Sequence, residues 1–251
     1  MSLKVMPVYT GRLVNSERSI QQYLTGYGEK IDVHSYIWMI VGGEAPIAVD
    51  LGVGSSAVVD RHHGRRLEQD LAPREALEAA GIDPGEVRLV IQTHLHWDHC
   101  LGAELNLFPN AEVAVQVDEI RYASMPMAPH EIMYNAKVIN DVAGRARARD
   151  GIRLVGGDWT AAEGVRVLHT PGHTPGLQIP VVETAVGTVA IGSDNVPLQS
   201  SMRGATPADW IPPAIHGDLE QTYRSMARLA DLAEVILPSH DSGPMEHGPY
   251  G

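Results

Sequence analysis

The chain has 251 residues, 44% hydrophobic and 20% charged, a composition that can bury a sizeable core without disulfides. Its formal net charge of −12 argues against nucleic acid or an anionic membrane surface as a partner, because both are gripped by clustered Lys and Arg. Cys100 is the only cysteine, so no internal disulfide can form, no run approaches the ~20 apolar residues of a membrane span, and "MSLKVMPVYT" carries no signal-peptide stretch. The expectation is a cytoplasmic protein that handles a small molecule, with no nucleic acid and no membrane involved and with a homodimer as one assembly open to it.

In chain order, "HSYIWMIVGG" and "APIAVDLG" read as two strands joined by a Gly-Gly turn. The segment "YLTGYGEKIDVHSY" ahead of them reads as a pocket lid or a dimer arm. "PREALEAAGI" is a helix with Pro73 near its start and Gly81 just past its end. "VRLVIQ" is a buried strand that delivers His94, and "EVAVQV" (112–117) is another. From Asp118 to about Asn140 the pattern is helical but interrupted by "MPMAPH". "IRLV", "VRVLHT", "LQIPVV" and "TVAIGS" are short strands. "DLEQTYRSMARLADLAE" is an amphipathic helix with Leu219, Tyr223, Met226, Leu229 and Leu232 on one face, and "VILPSH" is a last strand running to His240. Strands in two groups, each closed by a helix, predict packed sheets with helices outside, in one domain spanning residues 1–251.

The stretch "THLHWDH", Thr93 to His99, places three imidazoles and a carboxylate within six residues. His94 and His96 are two apart, so at an extended strand end they face the same side. Asp98 and His99 leave in another direction after a turn at Trp97. That spacing splits into two ligand sets, unlike the helical H-E-x-x-H pattern that aims two histidines at one zinc. A solvated histidine-rich loop is the plain alternative. "HTPGHTPG" (169–176), "AIGSDNV" (190–196) and "ILPSHDSG" (236–243) each put His or Asp just after a strand, beside Gly or Pro, where sites are assembled on a rigid scaffold.

From "VDLG" at Asp50 to "PSHD" at Asp241, this ordered set resembles the metallo-β-lactamase superfamily, and within it the lactonase branch that includes acyl-homoserine lactonases. The resemblance implies a four-layer αβ/βα sandwich of two mixed β-sheets flanked by helices, with a dinuclear metal site at one edge. It implies that His94, His96 and His173 hold one metal, that Asp98, His99 and His240 hold the second, and that Asp194 bridges both. His169 is the rival of His173 within its motif, and Asp194 could instead cap a turn. Asp50 reads as a support behind the ligands, since ligating imidazoles need an outer partner to orient them. His34, His62, His63, His130, His216 and His247 have no motif around them.

Imidazole and carboxylate without thiolate suit two zinc ions, with Mn, Fe or Co able to use the same set. Two such ions sharing a water lower its pKa toward ~7 and yield a hydroxide that attacks a carbonyl. The family mechanism implies that Asp98 passes the proton to the leaving oxygen. The expected enzyme is therefore a metal-dependent hydrolase acting on carbonyl esters, and the favoured substrate is a small lactone. A thioesterase or a hydrolase of another cyclic ester or amide is the enzymatic alternative, and an inactive scaffold is the non-enzymatic one. One position departs from the pattern: acyl-homoserine lactonases place a Tyr three residues after the bridging Asp, and here that residue is Pro197. Tyr122, Tyr134 and Trp210 are candidate substitutes for its hydroxyl. Trp97, Met125, Met127 and Trp210 are the candidate apolar substrate wall, with core packing as the bland reading for each.

Overall fold

The structure is a computed structural model that describes residues 2–63 and 65–251, the side chains of residues 61–63 excepted. His62 and His63 therefore lie outside the described side chains. Seven strands form one sheet in the order β4-β1-β2-β3-β5-β6-β7. These are β1 (Lys4–Glu17), β2 (Lys30–Val41), β3 (Ile47–Val49), β4 (Leu67–Glu68), β5 (Leu89–Ile91), β6 (Glu112–Gln116) and β7 (Ile152–Val155). Five more form the second sheet in the order β12-β11-β10-β9-β8: β8 (Trp159–Ala162), β9 (Val165–His169), β10 (Gln178–Thr184), β11 (Gly187–Ile191) and β12 (Val235–Leu237).

The two-residue period of a strand sorts the side chains into layers. In β2, Tyr36, Trp38 and Ile40 face the second sheet and pack with Val165, Val167 and Val182. The alternate residues Ile37 and Met39 face outward onto Ala76 and Leu77 of α3 (Pro73–Ala79). In the second sheet Val189 and Ile191 face inward, while Ile179, Val181 and Ala190 meet Leu229 of α7 (Leu219–Leu232) on the outside. The layers run helix, sheet, sheet, helix, the four-layer sandwich that the resemblance implies. A fourth cluster, including Val138, Ile139 and Val142 of α6 (Ala136–Ala148), packs beneath the histidine stretch against Leu95 and Trp97.

Several elements differ from the sequence reading. β1 is the longest strand of the molecule, yet Pro7, Gly11 and Asn15 interrupt its alternation. Its pairing with β2 shifts register between Tyr9 and Gly11 and again between Leu13 and Ser16, so the apolar period breaks where bulges absorb extra residues. The second half of the segment expected as a lid or arm is strand instead, since β2 begins at Lys30. The interrupted helical region is α5 (Val117–Ala123), a 3-10 turn over Ala128–Met133, and then α6, which runs on to Ala148. No helix among the described residues is long and apolar enough to cross a membrane.

Strand direction gathers the site. β3 and β5 are parallel, with Val49 opposite Ile91, so Asp50 and the histidine stretch leave the sheet side by side. β11 and β12 are also parallel, with Ile191 opposite Leu237, and Asp194 and His240 each follow three residues later. Gln178 at the start of β10 ties the two sheets together: its backbone N–H donates to Thr93 O, and its amide donates to the carbonyls of Gln92 and Ala114. Leu229 is fully buried between α7 and the second sheet. Leu229→Ala should lower unfolding stability by about 2–5 kcal/mol, read from chemical denaturation, because it removes buried methyls and leaves a cavity. A change below about 1 kcal/mol would mean that α7 is not packed as described.

Candidate metal centre

The histidine stretch starts beyond β5, where the chain stays extended, and then enters α4 (Trp97–Cys100). His94 and His96 consequently lie together, ring centroids 4.6 Å apart, while the short helix turns Asp98 and His99 toward the second sheet. The loop after β9 brings His173, the 3-10 turn Ser193–Asn195 brings Asp194, and the segment after β12 brings His240. The result is two groups of converging ligand atoms, His94, His96, His173 and Asp194 in one and Asp98, His99 and His240 in the other, each within 4.8 Å and all buried. Asp194 reaches both groups. Its Oδ2 lies 3.4 Å from His173 Nε2 and 3.9 Å from His94 Nε2, and its Oδ1 lies 3.0 Å from His99 Nε2 and 3.1 Å from His240 Nε2.

The outer nitrogens are spoken for, and this fixes which nitrogen faces inward. His173 Nδ1 donates to Ile215 O at 2.6 Å, and His240 Nδ1 donates to His34 O at 2.8 Å. His99 Nδ1 donates to Asp50 Oδ2 at 2.7 Å. Thr93 Oγ1 donates to Asp50 and stands 3.1 Å from His94 Nδ1, so it is left to accept from that ring. Asp50 also accepts from Thr93 N and the Gln92 amide, and thus braces the stretch from behind. Asp50 and Ser193 both hold left-handed backbone, φ 63° and 44°, which side chains with a Cβ seldom adopt.

Several inward atoms have no such partners. Nε2 of His94, His99 and His240, and Oδ1 of Asp98, are buried without a hydrogen bond among the described residues, while His96 turns Nδ1 inward, 2.9 Å from His173 Nε2, and its buried Nε2 lies on the outer side of the ring. Asp194 Oδ1 stands within ion-pair distance of His99 Nε2 and His240 Nε2, so it pairs with those rings when they carry a proton. Lone pairs facing a common point and otherwise unmet are what a pair of cations would require, so the residues present fit a dinuclear site.

Electrostatics divide the rings. Burial pushes His94 and His96 well below the usual histidine range, helped by neighbouring imidazoles, and lowers His173 as well. Burial also opposes charge on His99 and His240, but Asp194 outweighs it, with Asp50 at His99 and Asp98 at His240, and both rings are raised. Asp194 is buried too, yet His99 and His240 hold its carboxyl well below the ordinary carboxylate range.

A cavity of about 430 Å³ opens beside the cluster, with Trp97, Asp98, His173, Asp194 and Pro197 in its wall. Ile20, Ile132, Met133 and Ile215 complete an apolar side, and Gln21 and Arg65 add polar groups. Of the wall residues expected from sequence, Trp97 is there and the others are not. Met125 and Met127 are 85% and 50% exposed, turned out where α5 ends and the chain bends through Pro126 and Pro129. Trp210 lines a separate cleft with Met202 and Tyr250, its carbonyl held by the Tyr223 hydroxyl. None of the three candidates for the missing phenol stands free in the cavity: Tyr122 bonds His130, Tyr134 points at Glu119, and Trp210 is in the other cleft. His169 donates to Pro175 O and stays outside both ligand groups. Ile132 and Glu119 carried no motif, and only the packing of α5 and the 3-10 turn reveals them.

A family model described as the metallo-beta-lactamase superfamily matches residues 31–240. An N-acyl homoserine lactonase from Bacillus sp is 30% identical over 191 residues, covering 72% of this chain and 70% of its own. The N-acyl homoserine lactonase of Bacillus thuringiensis is 26% identical over 252 residues, with 95% and 93% covered. An N-acyl homoserine lactone hydrolase with the product N-hexanoyl-L-homoserine at its catalytic metal center superposes with a TM-score of 0.75 at 23% identity, covering 98% of this chain and 95% of that one. The chain belongs to the metallo-beta-lactamase superfamily. Within that superfamily its similarity lies with the lactonase branch, and it is an enzyme, a metal-dependent hydrolase.

Because Asp194 raises His99 and His240, these rings hold protons to higher pH than His94, His96 and His173, which burial lowers. Their attraction to Asp194 is complete below the unfolded histidine pKa and is lost as pH climbs through the raised folded values. A cation must displace those protons. Zinc affinity should therefore rise with pH from the ordinary histidine range upward, with protons released in weakly buffered titrations. An affinity flat across that range, with no proton release, would contradict this charge assignment.

Proposed function

We propose that the chain is a two-cation hydrolase that opens the ring of a small lactone. The observation that carries this reading is Asp194, whose two oxygens are divided between two buried ligand groups beside an apolar cavity. When bound, two divalent cations would supply an activated water at neutral pH and polarise a carbonyl; zinc suits this donor set best, with Mn, Fe and Co as the alternatives.

The chain's own side chains do the rest in this reading. His94, His96 and His173 form the first ligand set, Asp98, His99 and His240 the second, and Asp194 joins them. Asp98 lines the cavity and its Oδ1 has no partner, so it is the group placed to carry a proton to the leaving ring oxygen. Trp97, Ile132 and Ile215 exclude water from the reacting ester. The lactonase names of the curated relatives support an ester ring over a β-lactam or thioester. Pro197 offers no donor, so Gln21 and Arg65 in the cavity wall supply the hydrogen bonds to substrate oxygens that a phenol provides elsewhere. The reading accordingly extends to lactones as a class and is not confined to N-acyl homoserine lactones.

Zinc-loaded protein tested on lactones of varied ring and chain, alongside thioesters and β-lactams, should turn over lactones fastest; a preference for thioesters would move the assignment. Asp194→Ala should leave less than one cation per chain and reduce turnover by more than about 100-fold, beyond the loss typical of an outer partner. Full metal content and rate in that variant would refute the bridge. Turnover of the wild type should also decline below neutral pH, as protons compete for the imidazole lone pairs.

A further inference from the structure

We infer that Glu119 is a positioning residue for the first ligand set, a buried carboxylate that fixes where His94, His96 and His173 sit while touching none of them. The inference rests on the two-cation reading above. Glu119 lies on α5 with no exposed surface. Its Oε1 accepts the backbone N–H of Leu95 at 2.9 Å and faces the Tyr134 hydroxyl at 3.4 Å. Its Oε2 accepts the Thr174 hydroxyl at 2.6 Å and the Gly176 N–H at 3.2 Å.

These partners are informative because of what flanks them. Leu95 sits between His94 and His96, and Thr174 and Gly176 follow His173. The two loops come from different sheets, one after β5 and one between β9 and β10. A single carboxylate therefore clamps together the three imidazoles of one set across the sandwich. The approach requires glycine at 176, where a Cβ would fall within the backbone of Glu119. Tyr134 adds a further contact, its ring edge-on to His96 with centroids 4.9 Å apart. All four partners donate, so the group serves only as an acceptor, the role of an ionised carboxylate. No Lys, Arg or His among the described residues forms an ion pair with it, which distinguishes it from a buried salt bridge.

The second set is framed by other groups. His99 is oriented by Asp50 and His240 by the carbonyl of His34, and neither bond involves Glu119. The two buried acids thus divide the work: Asp50 braces His99 and, through Thr93, His94, while Glu119 joins the loop of His94 and His96 to that of His173. Removal of Glu119 should loosen one cation and spare the other.

The test uses the full chain loaded with zinc. Glu119→Gln replaces an acceptor oxygen with an amide that cannot take the Gly176 N–H, and Thr174→Val removes one bond without touching the charge. Metal per chain after dialysis, competition titration with a chromophoric chelator, and the absorption spectrum of the cobalt-substituted protein are read beside the urea midpoint. Expected for Glu119→Gln is one tightly held cation, a second weakened about 10–100-fold, and loss of one of the two cobalt signatures. Thr174→Val should weaken the same cation by less. Two cations held with wild-type affinity in either folded variant, even at a lowered urea midpoint, would reduce Glu119 to a structural residue and overturn the inference. Equal weakening of both cations would overturn it as well. If Glu119→Gln does not fold, Thr174→Val alone decides on the same criteria. Wild-type protein that binds no zinc would instead overturn the two-cation reading, an outcome the variants are not needed to see.

Discussion

The rest of the structure depends on a set of buried lone pairs that the protein itself does not satisfy. Nε2 of His94, His99 and His240 and one carboxylate oxygen of Asp98 face inward without a hydrogen bond, and His96 Nδ1 meets only His173 Nε2. A buried polar atom left unmet costs about 1–3 kcal/mol, so such atoms are held together only where the surrounding fold constrains them. Divalent cations between them would reverse that cost, because each lone pair would then gain a partner. Inward convergence is thus a strained arrangement on its own and a favourable one when loaded. Elements around it are best understood as what keeps these side chains from turning away to find other partners.

The framing is done at strand ends. Parallel pairs bring Asp50 beside the histidine stretch and Asp194 beside His240, and Gln178 locks the two sheets at the level of the site. Outer nitrogens of His94, His99, His173 and His240 are then taken by Thr93, by Asp50 and by carbonyls, which turns Nε2 of each ring inward. The left-handed backbone at Asp50 and Ser193 falls within this frame, at the residues where the chain must turn sharply to deliver a side chain. Function and fold meet there: the same hydrogen bonds that close the sandwich edge also set ring tautomers.

Much of this was legible in the residues. Short alternating segments marked most strands, and the family resemblance carried by the histidine and aspartate motifs implied the sandwich. The spacing of His94, His96, Asp98 and His99 anticipated two groups, because an extended end followed by a turn sends them two ways. What stayed hidden depended on long-range geometry or broken patterns. β1 was obscured by the bulges at Gly11 and Asn15, which interrupt its period. Glu119 looks like any acid on a short helix, and its burial follows only from α5 packing under both loops. Met125, Met127 and Trp210 looked like wall residues since they sit near prolines in irregular segments, but direction in such segments is set by tertiary contacts. The cavity wall is drawn instead from Ile20, Ile132 and Ile215, which lie far apart in sequence and share no motif.

Anomalous diffraction at the zinc edge, from crystals grown with zinc, addresses the central claim most directly. The account predicts two peaks, one among His94, His96 and His173 and one among Asp98, His99 and His240, with Asp194 between them. A map with no peak at this cluster, or a single peak that leaves His99 and His240 unbound, would contradict it.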